Sequence, residues 1–245
     1  TPSPSPSPSP SPRPTPSPST KNISPTIAIS DDDPDNSLKA GETTHLTFTL
    51  SEASSNFTQN DVTISGGSLS NWTVTSPTTY SATFTPHADS TINGVIAVES
   101  GRFSNSSGKT NSDGFDANNS LTFTIDTLHP SIAISNNDPD NSLSSGETTK
   151  LSFTLSEASS DFLESDVSIS GGSLSNWTAS SPTSYSATFK PNSSKKATIS
   201  VGSNAFSDAA VNVNRDGDDA NNSVQFKIDL DRSNQLPTPE SVSPE

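Results

Sequence analysis

From Thr26 onward, short runs of the chain alternate apolar residues with Ser and Thr, and turn-forming residues break the runs apart. Leu46, Phe48 and Leu50 alternate with Thr47 and Thr49, Tyr80, Ala82 and Phe84 with Ser81 and Thr83, and Leu121, Phe123 and Ile125 with Thr122 and Thr124. A period of two puts each apolar set on one face of a strand and its hydroxyls on the other, so the first face belongs in a core. No stretch sustains a period of 3.6, and β-branched Thr, Val and Ile dominate the runs, which argues against helix. The pattern predicts seven strands in the first half, at 26–30, 45–50, 61–65, 72–75, 80–86, 94–100 and 121–126. Short alternating strands separated by turns are the mark of an antiparallel sandwich.

The second half repeats the first. Residues 25–86 match 130–191 at an offset of 105: DPDNSL recurs at Asp33 and Asp138, GETT at Gly41 and Gly146, ISGGSLSNWT at Ile64 and Ile169. Beyond a two-residue deletion near 87–94 the offset becomes 103, with ANNS at Ala117 and Ala220. The fold expected is therefore all-β: two tandem immunoglobulin-like antiparallel sandwiches, at 25–127 and 128–231, each of about a hundred residues.

Residues 1–19 instead alternate Ser or Thr with Pro. Proline fixes φ and biases the residue before it to extended geometry, so residues 1–24 are expected to form a polyproline II stalk, with eighteen of them reaching about 55 Å. The tail, 232–245, returns to Pro and Ser and reads as the start of a second such linker.

Ser and Thr make up a third of the chain, and only 27% is hydrophobic, well below an ordinary globular composition. The formal charge of −15 repels phosphate backbones and anionic headgroups, so neither nucleic acid nor membrane contact is expected of this segment. No apolar run approaches the ~20 residues that span a bilayer. The chain contains no Met and starts at Thr1, as expected of a processed product or an excerpt of something longer. Without Cys there is no disulfide and no thiolate chemistry.

PTIAIS, KAGETTHLTFTLSEASSNFTQNDVTISGGSLSNW, YSATFTP and FTIDT, in that order, resemble the bacterial Ig-like repeat of long surface adhesins, over roughly residues 25–229. That resemblance implies a sandwich used for extension or display, usually without catalysis of its own. The Ser-Pro run is similar to the hydroxyproline-rich glycoproteins of algae and plants, and rods joined to Ig-like repeats are similar in layout to mastigoneme axis proteins. That second likeness implies hydroxyproline and O-glycans, with Ser3, Pro4, Ser5, Pro6, Ser7, Pro8, Ser9, Pro10, Ser11, Pro12, Pro14, Pro16 and Pro18 as the sites.

Acidic residues gather at the module ends: Asp31, Asp33, Asp35, Asp113, Asp116 and Asp126 in the first copy, Asp138, Asp140, Asp216, Asp219 and Asp229 in the second. Carboxylates converging from loops suit Ca²⁺, which takes six to eight oxygen ligands; in the adhesins these repeats resemble, such an ion stiffens the joint between modules. Against that, Asp and Asn also make Asx turns, Asn136 and Asn137 replace Asp31 and Asp32 in the second copy, and no EF-hand spacing occurs. Trp72 and Trp177 fit either sugar stacking or core packing. His45, His87 and His129 lack recognisable catalytic partners, so no enzyme is expected. Eight N-glycosylation sequons are no more than this composition yields by chance.

The main expectation is an extracellular structural glycoprotein of a surface filament or matrix, partnered by other filament glycoproteins and covalent glycans. The alternatives are the extender region of a bacterial surface adhesin, or a carbohydrate-binding module working through its two Trp.

Overall fold

A computed structural model describes residues 23–113, 117–192, 195–216 and 220–229. The stalk at 1–24 lies outside the described residues apart from its last two, and so do the positions Ser3 to Pro18, Asp116, Asp219 and the tail at 232–245.

Among the described residues, each copy folds into eight strands. Module 1 has β1 (Ile27–Asp31), β2 (Ser37–Lys39), β3 (Thr44–Leu50), β4 (Thr63–Ser65), β5 (Gly67–Ser76), β6 (Thr79–Pro86), β7 (Gly94–Ala97) and β8 (Ser120–Asp126). Module 2 repeats them as β9 (Ile132–Asn136), β10 (Ser142–Ser144), β11 (Thr149–Leu155), β12 (Val167–Ser170), β13 (Gly172–Ser181), β14 (Ser184–Pro191), β15 (Lys196–Val201) and β16 (Ser223–Asp229). In module 1 the sheets run β1-β3-β6-β5 and β2-β8-β7-β4, and module 2 has the same two orders.

Three features depart from the sequence expectation. The acidic DPDNSL segment contains a strand, β2, which pairs in parallel with β8, so the sandwich is mixed and not purely antiparallel. Only Leu38 of β2 enters the core, too little alternation to be read as a strand. The strand expected from Trp72 begins at Gly67, because this edge strand buries no residue fully and Leu69 is the one large apolar side chain in its first half. The strand expected to run to Ser100 stops at Ala97.

The predicted faces form the cores. Leu46, Phe48, Tyr80, Ala82, Phe84 and Phe123 are all buried, and module 2 has its own separate cluster around Phe153, Phe189 and Phe226. The Tyr80 hydroxyl donates to Ser54 O and the Tyr185 hydroxyl to Ser159 O, satisfying a polar tip inside an apolar layer. β5 shifts register against β6 on either side of Thr73 and Val74, with Asn71 at φ +53, and such bulges protect an exposed edge from pairing with other chains. Gly66, at φ +70, lies where a Cβ would come 2.5 Å from Asn93 O, so only glycine fits this turn.

Candidate functional site

The most distinctive chemistry lies where the modules meet. β8 ends at Asp126 and β9 begins at Ile132, so five residues join the two cores. This link is tied down on both sides. The Thr127 hydroxyl donates to His87 O at 2.6 Å, Arg215 N–H donates to Pro130 O at 2.9 Å, and Ile132 N–H donates to the buried Asp216 carboxylate at 2.6 Å.

Among the described residues, one side chain bridges the modules directly and another ties the link to module 2. Asn212, almost fully buried, accepts the Ala40 N–H at 2.8 Å and donates to Asp126 O at 2.9 Å. The ring Nδ1 of His129 lies 2.8 Å from Val213 O. Beside them is a cleft of about 520 Å³, lined by Lys39, Glu42 and His87 of module 1, His129 of the link, and Val211 and Arg215 of module 2.

Asp126 meets Glu157 and Asp208 here, with one carboxylate oxygen of each lying within 4.8 Å of the others. The Glu157 Oε1 is buried and has no hydrogen-bond partner among the described residues. Burial first, then the charges of Asp126 and Asp208, push the Glu157 carboxyl above its ordinary range, and His129 works the other way. Asp208 is engaged on both oxygens by Asn212, through its N–H at 2.8 Å and its side-chain amide at 3.0 Å.

The other acidic positions are disposed differently. Asp31, Asp33 and Asp35 accept N–H groups of their own turn, from Asp33 and Ser37, and Asp138 and Asp140 accept Ser142 N–H. Asp113 and Asp216 each accept the N–H that opens a module, at Ile27 and Ile132, plus the side-chain amide of Asn111 or Asn214. Asp229 closes β16 at the far end of module 2, away from the joint. Of the predicted candidates among the described residues, only Asp126 enters the joint cluster.

Trp72 packs its ring centroid 5.3 Å from Phe48 and 5.5 Å from Phe57, and Trp177 does the same with Phe153 and Phe162. Both indoles are half-buried and wall the core.

Glu157, Asp208 and Asn212 escaped the sequence reading, although a signal was there in the places where the two copies disagree. Asn105 stands where module 2 has Asp208, Lys109 where it has Asn212, Lys21 where the joint has Asp126. In module 1, Asn105 donates its amide to Glu52, the counterpart of Glu157, at 2.5 Å. The donor that satisfies this glutamate in module 1 is a carboxylate in module 2.

The model of a bacterial Ig-like domain matches the chain twice, at residues 21–125 and 126–228. The chain belongs to the bacterial Ig-like domain family. No curated protein matches this Ig-like pair. Among solved structures, it is similar to the Escherichia coli adhesin FdeC, at 17% identity and a TM-score of 0.43, covering 83% of this chain and 64% of that one. It is also similar to invasin, a bacterial integrin-binding protein, at 17% identity and a TM-score of 0.40, with coverage of 83% and 40%. The Yersinia pseudotuberculosis adhesin InvE follows at 11% identity and a TM-score of 0.32, covering 84% and 59%. The Ig-like pair thus spans 40% to 64% of the length of these structures, and at such identities the likeness is one of fold alone.

Proposed function

We propose that these tandem Ig-like modules are an extender segment of a larger cell-surface protein, holding another part of it away from the surface. One observation carries the reading: the modules have separate cores, yet the short link between them is hydrogen-bonded from both sides and bridged by Asn212. Linked domains move relative to one another by default, and a joint built this way resists that motion. The mechanism is mechanical, with no chemistry asked of the chain. The filament-axis reading depends on hydroxyproline and glycans in residues 1–19, outside the described residues, and the bacterial Ig-like family favours the adhesin-type extender over it.

Small-angle scattering of the chain tests the reading. A profile fitted by one inter-module geometry supports it, and a profile that requires many geometries overturns it.

A second reading adds Ca²⁺ at the joint, favoured by the buried, unpartnered Glu157 Oε1 amid three carboxylates. Their hard oxygens suit the ion, and water would complete its shell. A ligand bound only by the folded state must raise the melting midpoint, so an identical midpoint in calcium and in chelator ends this reading.

A further inference from the structure

Both modules carry the same loop. Residues 104–111 and 207–214 are each pinched by an isolated bridge, Ser104 to Thr110 and Ser207 to Val213. In each, the fourth turn residue donates back to the first: Gly108 N–H to Asn105 O, Val211 N–H to Asp208 O. That turn residue is left-handed in both, at φ +75 for Gly108 and +68 for Val211. Glycine adopts this geometry freely, whereas a β-branched residue resists it and is seen there where surrounding structure enforces it. Val211 is 62% exposed and lines the inter-module cleft, so its own core packing does not account for the strain.

What the module 2 loop achieves is the placing of Asn212. Lys39 and Asp126 are the last pair of the parallel β2–β8 ladder. Asn212 engages the next donor and the last acceptor of that ladder, the Ala40 N–H and the Asp126 carbonyl. Its side-chain amide, one acceptor beside one donor, thus acts as a further peptide rung contributed by the neighbouring module. Asp208 fixes which way round the amide sits, because a carboxylate can only accept and so must face Nδ2. Lys109, at the equivalent place in module 1, has donors alone and cannot accept an N–H.

We propose that the Asp208–Asn212 pair selects a module's neighbour: an Ig-like module carrying it docks on the β2–β8 ladder end of a preceding module, and one carrying Asn and Lys there follows a linker. The partner surface is a second Ig-like module of this build, and module 2 repeats the ladder at its own far end as Ser144 paired with Asp229. The inference rests on the joint being fixed and names the residues that fix it.

The chain lacks Cys, so Ser70→Cys with Ser175→Cys allows nitroxide labels at equivalent exposed positions of the two modules. The distance distribution should be narrow, and should broaden about twofold in Asn212→Lys and in Asn212→Asp, with the melting of each module retained. Asp208→Asn, a milder change, should broaden it less and serves if the first variants fail to fold. A narrow distribution unaltered by all three variants overturns the neighbour code but leaves the fixed joint standing. A broad distribution in the unaltered chain overturns both.

Discussion

Modules 1 and 2 share their cores almost residue for residue and differ sharply in one loop, at 104–111 and 207–214, which faces an equivalent glutamate in each. Where module 1 has Asn105 donating to Glu52, module 2 has Asp208 facing Glu157 with Asp126 of its neighbour close by. Where module 1 turns on Gly108, module 2 turns on Val211. The core is held constant because it decides whether a module folds at all. The loop varies because it decides what the module meets.

Core substitutions should show the two modules to be alike and independent. Phe48→Ala and Phe153→Ala each empty a fully buried ring and should cost about 3–5 kcal/mol in their own module. Calorimetry should show one transition lowered and the other in place; loss of both together would mean that the cores are not separate.

The turn should show them to be opposites. Val211→Gly is expected to stabilise module 2, and Gly108→Val to destabilise module 1, each by about 1 kcal/mol. Denaturant midpoints for the two variants should move in opposite directions, and movement in the same direction would refute the strain at Val211.

A smaller effect is expected from acid at the joint. Burial and its two acidic neighbours raise the Glu157 carboxyl, so the folded chain holds that proton more readily than the unfolded one. Stability withheld at neutral pH therefore returns as pH falls through the raised folded value. Glu157→Gln should stabilise module 2 at neutral pH by less than about 1 kcal/mol and flatten this gain in mild acid, as followed by its melt. An unchanged pH profile in the variant would show that Glu157 is not its source.

The smallest effect has the opposite sign and belongs to module 1. Hydrogen bonds from His45 N–H and the Thr44 hydroxyl hold the Asp32 carboxyl below its usual range, and Asn137 stands in its place in module 2. Its contribution is present above the unfolded value and is lost as pH falls toward the lower folded one. Asp32→Asn should remove that acid-side loss from module 1 alone, as followed by its melt below about pH 4.

How far the sequence could be read varies by element. Long strands were legible wherever large apolar residues alternate, as at Leu46, Phe48 and Leu50. β2 was hidden because three residues with one buried Leu carry no period, and the first half of β5 because an edge strand spends few side chains on the core. The acidic residues were legible as a population, but Asp31, Asp33 and Asp35 turned out to be engaged by their own turn.

The sequence by itself determined the strands, the sandwich and its duplication, because which face of a strand is apolar is settled by neighbours two residues apart. Only the tertiary structure decided that Asp126, Glu157 and Asp208 share one site and that Asn212 extends a neighbour's ladder. Those contacts join residues as many as 172 positions apart, and their meeting depends on how the link seats one module on the other.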